Sequence, residues 1–341
     1  MSATPANQPQ GNRAMPALTR RAIGAAALGL SAATLIRPAA AAEKVTYLFP
    51  APSFLPAFVP HHLAQQRGYF RDEGVEVAFQ LGRGGADVAK QVALGNAEIG
   101  GGSGDTSMIV RANGLPVRAV ALLGGGSLYQ VATRRDRNIR SLADLRGKKI
   151  GVIAFQDTGY YALLGALAGS GIAKNEVQIQ AVGPAGMVQL MVSGSLDGIT
   201  ATPDWADNIE TAGTAIDYHE LAQVFPSMAQ AILTSDRMVH DRPAAVRGVV
   251  RGIMRGVKAC MDDPASAARD FCRAVPQQAG KEVEIERILR RYVTQVYPPR
   301  PGTDLGKFDP QRLALIQKSY MDNGVIQEAV PVQDLYSNEF V

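Results

Sequence analysis

Short β-branched runs alternate with helical patterns along this chain, and the alternation restarts midway. Val45-Thr46-Tyr47-Leu48-Phe49, Val75-Glu76-Val77-Ala78-Phe79, Glu98-Ile99-Gly100 and Val117 to Leu123 read as strands. Between them Pro56 to Gln66, Gly85 to Leu94 and Thr106 to Ala112 read as helices, closed near Gly68, Gly95 and Gly114. After Val131-Ala132-Thr133 the pattern begins again. A short helix at Ser141 to Leu145 leads into Ile150-Gly151-Val152. A helix at Thr158 to Ala168, a strand at Val177 to Val182, a helix at Gly186 to Val192 and a strand at Ile199-Thr200-Ala201 follow. Ala231-Ile232-Leu233-Thr234 is a late strand before a mainly helical last third, with helices at Arg242 to Met261, Lys281 to Gln295 and Pro310 to Asn323. Strand–helix repetition with short loops predicts two α/β units built on parallel-type sheets.

The first 42 residues read as an export leader rather than part of that fold. Arg20-Arg21 precedes a short run of Ala, Gly and Leu from Ala22 to Ala33, and Ala40-Ala41-Ala42 has the small-residue cleavage pattern. The paired arginines suggest the twin-arginine route, although Ile23 stands where Phe is usual. The apolar run is shorter than the ~20 residues a membrane span needs. The expectation is a periplasmic protein cleaved near Ala42.

Removing the leader changes the charge argument. The chain has 35 basic and 31 acidic side chains, but Arg13, Arg20, Arg21 and Arg37 all lie in the leader, which has no acid. The counts after it are equal at 31. No basic excess is left in the folded part, which argues against a nucleic-acid partner. Cys260 and Cys272 are the only cysteines, and two buried free thiols are expected over a disulfide across a hairpin broken at Asp263-Pro264. His61 and His62 point about 100° apart on a helix and do not converge on one ion, so a capping or surface role is expected. No metal or cofactor pattern appears.

Glycines cluster where strands hand over to helices: Gly82-Arg83-Gly84-Gly85, Gly100 to Thr106, and Gln156-Asp157-Thr158-Gly159. Such ends bring free N–H groups and partial positive charge to a crevice. Asp105 and Asp157 also suit N-caps. Phe54, Tyr129, Phe155, Tyr160, Tyr161 and Trp205 fall in the same regions, Trp205 in the polar loop Ala201-Thr202-Pro203-Asp204-Trp205. The candidate ligand-binding set is Phe54, Arg83, Gly84, Gly85, Ser103, Gly104, Asp105, Tyr129, Gln156, Asp157, Thr158, Tyr160, Asp204 and Trp205. Arg83 and the helix ends favour an anion, the three aspartates an amine or ring N–H, and the aromatics a ring.

Several segments carry a family resemblance: Gln65-Gln66-Arg67-Gly68-Tyr69-Phe70-Arg71-Asp72-Glu73-Gly74-Val75-Glu76-Val77, Gly84 to Val88 with Ala93 to Gly100, Asn113 to Val117, Ser141 to Val152, and Val192 to Gly198. Over residues 45–205 the chain resembles the solute-binding proteins of ABC importers that handle nitrate, taurine, alkanesulfonates and thiamine-pyrimidine precursors. The resemblance implies a two-lobe periplasmic-binding-protein fold of type II with the ligand in the interlobe cleft. Lobe one would be 45–132 plus 232–341 and lobe two 133–231, hinged near Ala132 and Leu233. It also implies a monomer without catalysis, serving a membrane permease and capturing a small organic anion or zwitterion such as a sulfonate, or a small heteroaromatic solute. The competing classes are a ligand-sensing partner of a membrane signalling protein and an enzyme like the fungal pyrimidine synthase. The enzyme would need a reactive His and metal-binding cysteines in the cleft.

Overall fold

The computed structural model describes residues 41–219, 221 and 225–341. The paired arginines and the rest of the expected leader up to residue 40 lie outside that range.

The first sheet is ordered β2-β1-β3-β10-β4, from β1 (Glu43–Phe49), β2 (Val75–Leu81), β3 (Ile99–Ser103), β4 (Val117–Leu122) and β10 (Gln230–Ser235). The second is ordered β7-β6-β8-β5-β9, from β5 (Gln130–Arg134), β6 (Lys149–Val152), β7 (Gln178–Ala181), β8 (Gly198–Ala201) and β9 (Ile216–His219). Both are mixed rather than parallel. β10 runs antiparallel to β3 and β4, and β5 antiparallel to β8 and β9. A strand that re-enters a sheet from the other half of the molecule arrives head-down, and nothing in its own residues records that direction.

Helices follow their strands closely: α1 (Val59–Gln66), α2 (Tyr69–Asp72), α3 (Gly85–Ala93), α4 (Thr106–Arg111), α5 (Thr158–Gly169), α6 (Gly183–Val192) and α7 (Pro203–Thr211). The last third adds α8 (Asp236–Asp241), α9 (Pro243–Asp262), α10 (Pro264–Ala274), α11 (Glu282–Gln295), α12 (Pro310–Asp322) and α13 (Val332–Leu335). α9 begins on a proline and buries Val246, Val249, Val250, Ile253, Val257 and Cys260 on one stripe. Cys260 and Cys272 are free and buried.

The chain passes between the sheets twice, through 123–129 and through the stretch after β9 that includes 225–229. Ala132 and Leu233 sit mid-strand, paired with Ile199 and Tyr218 and with Gly100 and Ala119 respectively. The two crossings hydrogen-bond to each other at Leu128 N–Met228 O (3.1 Å), and Leu123 N donates to Gln230 O at the start of β10 (2.7 Å). Gly125 N and Gly126 N donate to Pro298 O and Val296 O at 2.9 and 3.0 Å. A Cβ on Gly124 or Gly126 would fall inside the Val296 or Gln295 carbonyl, so this approach requires glycine. Arg312 of α12, 5 % exposed, donates to carbonyls of both crossings: Gly125 at 2.9 Å, Pro226 at 3.2 Å, and Ser227. Burial lowers its pKa to about 10.

Candidate binding cleft

Where the two bodies face each other, the N-terminus of α3 meets that of α5. Gly84 has φ of +92°, and a Cβ there would lie 2.9 Å from the Gln156 carbonyl oxygen. Ala86 N donates to that same oxygen at 3.2 Å. A Cβ on Gly85 would meet the Thr158 methyl at 2.7 Å. Three expected ligand contacts, Gly84, Gly85 and Gln156, are thus brought together as a backbone clasp between the halves. Arg83 is exposed, and its N–H bonds Asp87 at 3.1 Å.

Behind the clasp lies a recess of about 40 Å³. Gly102, Gln230 and the Pro50–Phe58 loop line it from the first body, and Tyr129, Asp157, Thr158, Thr202, Asp204 and Trp205 from the second. Asp157 caps α5 as expected, accepting from Gly159 N at 2.8 Å. Tyr129 Oη lies 3.0 Å from Thr158 Oγ1 and donates to Asp157 at 3.4 Å. Asp204 Oδ1 accepts from Thr202 Oγ1 at 2.5 Å and from Tyr292 Oη at 2.8 Å. Its Oδ2 and the Oε1 of Gln230 are buried with no partner. Among the described residues no Lys or Arg lines the recess. Burial raises the pKa of both carboxyls, that of Asp157 to about 6.

An outer chamber of about 580 Å³ adjoins the recess and shares Leu55 and Trp205 with it. Pro52, Phe54, Pro56, Pro184, Ala185 and Val188 form its walls, while Gln189, Asn208, Gln278, Lys281 and Glu284 supply polar groups. Trp205 is 5 % exposed and belongs to α7, not to a polar loop, because Pro203 starts the helix two residues earlier.

Other expected residues lie elsewhere. Tyr160 lines a separate cavity of about 590 Å³ with Phe155, Lys174, Asn175, Val177 and Ile179, built from the second body alone. Ser103, Gly104 and Asp105 are buried and do not line the recess. Asp105 makes no cap; its carboxylate accepts from Ser103 Oγ and from Tyr320 Oη of α12. His61 is neither cap nor surface residue. It packs among Tyr47, Phe49 and Phe58, hydrogen-bonds Tyr47 Oη at 2.9 Å, and burial lowers its pKa to about 3. Among the described residues no group of three or more His, Cys, Asp or Glu side chains could hold a metal ion. Sequence reasoning missed Gln230, Thr202 and Tyr292. Gln230 had one signal, a polar residue heading an apolar strand. Tyr292 had none, since it arrives from α11 some 90 residues after Asp204.

Residues 55–267 match the profile described as NMT1/THI5 like. The chain belongs to this family. The riboflavin-binding protein RibY of Chloroflexus aurantiacus is 25 % identical over 300 residues, 85 % of this chain and 84 % of that protein. The 4-amino-5-hydroxymethyl-2-methylpyrimidine phosphate synthase of Schizosaccharomyces pombe is 30 % identical over 98 residues, 29 % of this chain and 28 % of that one. The alkanesulfonate-binding protein SsuA of Xanthomonas axonopodis pv. citri, solved with MOPS, superposes with a TM-score of 0.68 at 16 % identity, covering 88 % of this chain and 99 % of that one. This NMT1/THI5-like chain therefore has the two-lobe, type II periplasmic-binding-protein fold.

The acidic recess makes ligand-free stability depend on pH. Asp157 has a folded pKa of about 6 against 3.8 in the open chain, so the folded state keeps the proton over that interval and the unfolded state does not. Stability from this group is present below about pH 4 and is lost as pH rises to 6, roughly 3 kcal/mol in all. Asp204 acts in the same direction. Ligand-free Asp157→Asn is expected to lose part of the fall in melting temperature that the unaltered protein shows between pH 4.5 and 7.5. Parallel pH profiles would show that Asp157 titrates as it does in the open chain.

Proposed function

We propose that this protein is the exported solute-binding component of an ABC importer, and that it holds a neutral or cationic heteroaromatic solute through N–H donors in the interlobe cleft. One observation carries the choice of solute: the recess presents two buried carboxyls, an unpartnered Asp204 Oδ2 and an unpartnered Gln230 Oε1, with no basic side chain beside them. Buried acceptors without donors cost free energy, and a solute N–H edge relieves that cost. A sulfonate would bring a negative charge against buried carboxyls with no cation to offset it. Arg83 and the α3 N-terminus, which suggested an anion, are turned to solvent and to the clasp. The likeness to RibY over most of both chains supports the same reading.

Lobe one then comprises 45–132 plus 232–341 with its edges moved to the crossings, and lobe two the stretch between. Closure bends the crossings rather than Ala132 and Leu233 and buries the solute for presentation to the permease. We read the protein as a binder rather than an enzyme: His61 lies in an aromatic core and both cysteines are buried away from the recess.

A thermal-shift panel of riboflavin, 4-amino-5-hydroxymethyl-2-methylpyrimidine, taurine, hexanesulfonate and nitrate tests the solute class. Heterocycles are expected to raise the melting temperature and the anions to leave it unchanged. Stabilisation by an anion alone would overturn the reading. Export is tested by Arg20-Arg21→Lys-Lys, which is expected to hold the protein in the cytoplasm on fractionation. Unchanged periplasmic amounts would point to the general secretory route instead.

A further inference from the structure

We propose that the outer chamber is a second subsite of the cleft, and that the solute is an extended molecule: a ring system whose N–H edge enters the recess, joined to a neutral hydroxyl-bearing chain held in the chamber. The inference rests on the heteroaromatic reading above and adds the size and second half of the solute.

The two volumes set the size. About 40 Å³ admits little more than a water, so with the lobes together the recess takes only the edge of a ring. The adjoining chamber of about 580 Å³ lies in the range of sites that enclose ligands of several hundred daltons. A single pyrimidine or a taurine would leave most of its apolar wall uncovered. Leu55 and Trp205 border both spaces, so one molecule can run from one to the other past the indole.

The polar groups set the chemistry of the chain. Gln278 is 7 % exposed, and its Nε2 is committed to the Phe54 carbonyl at 2.8 Å. Its Oε1 is buried and has no partner. An acceptor buried without a partner is relieved by an O–H or N–H that closure presses against the chamber wall. Gln189 and Asn208 of the same lining offer both donors and acceptors. Lys281 and Glu284 are of opposite charge, so the polar side attracts neither an anionic nor a cationic chain. A run of hydroxyls, each both donor and acceptor, matches this mixture where a phosphate does not. The chamber is lined from the Pro52–Pro56 loop, from α6 and α7, and from Gln278 to Glu284, so chain contacts also reward closure.

Titration calorimetry with riboflavin, lumiflavin and 4-amino-5-hydroxymethyl-2-methylpyrimidine tests this. Lumiflavin keeps the tricyclic head and replaces the polyol chain with a methyl group. Riboflavin is expected to bind at least ten-fold tighter than lumiflavin. Asn208→Leu and, separately, Gln278→Leu are expected to narrow that ratio by lowering riboflavin affinity and leaving lumiflavin affinity unchanged. Asn208→Leu keeps the test informative if loss of the Gln278–Phe54 bond disturbs the fold. Equal affinity for the two flavins, a ratio unmoved in Asn208→Leu, or tightest binding of the single-ring pyrimidine would overturn the extended-solute inference and leave the heteroaromatic reading standing. Binding of none of the three would overturn both.

Discussion

Gly126→Ala is expected to cost at least about 3 kcal/mol of stability, enough to lower the melting temperature by roughly 6–12 °C. The added methyl would overlap the Gln295 carbonyl, which is backbone and has no rotamer by which to retreat. Relief requires breaking the Gly126 N–Val296 O bond and shifting the crossing away from the α11–α12 connection. That crossing is also bonded to its partner and to Arg312, so the displacement propagates to three neighbours. Thermal unfolding of the variant without ligand measures it. A melting temperature within a degree or two of the unaltered protein would mean that the crossing is far looser than this geometry.

Asp204→Asn is expected to change binding and stability in opposite directions. The amide keeps an oxygen for Thr202 and Tyr292 but puts an N–H in place of the unpartnered Oδ2 of a residue that lines the recess. A solute N–H would then meet a donor in place of an acceptor, a loss of about 2–3 kcal/mol or roughly a hundred-fold in affinity for a heteroaromatic solute that binds the unaltered protein. Burial of the carboxylate in the empty cleft costs free energy, as its raised pKa records, so the ligand-free variant is expected to melt higher at pH 7.5. Calorimetry and thermal unfolding on one preparation read both signs. A variant that binds as before, or that binds less and also melts lower, would mark Asp204 as a structural residue held by Tyr292.

Much of the architecture could be read from residue pattern. Pro56 and Gly68 bracket α1 and its short entry turn, Gly95 ends the turn after α3, and Asp157 caps α5, because each signal acts within one turn of the element it bounds. Strand direction was not legible, since it depends on where the chain has been before entering the sheet. β9 (Ile216–His219) went unread because half its residues are polar, as suits an edge strand. The cleft was legible as a set of loops but not as a set of partners. The free N–H groups of α3 read as a seat for an anion, yet the oxygen that takes Ala86 N belongs to Gln156, some 70 residues away. His61 read as a cap or surface residue because two adjacent histidines on a helix do not converge on one ion. Its ring edge instead completes an aromatic cluster that only the folded sheet assembles.

The position of β10 has a consequence in time. It lies between β3 and β4 in the first sheet, but it is made only after the whole second sheet has left the ribosome. Until residue 235 is available, β3 and β4 each expose a row of unsatisfied backbone groups toward the gap. The first half of the chain therefore has no stable stopping point of its own, and synthesis halted before β10 is expected to yield aggregate rather than a folded lobe. Under the proposed twin-arginine export, a route that carries folded cargo, the order matters. The proposed leader emerges first, but the body behind it cannot close its first sheet until more than two-thirds of the polypeptide has followed.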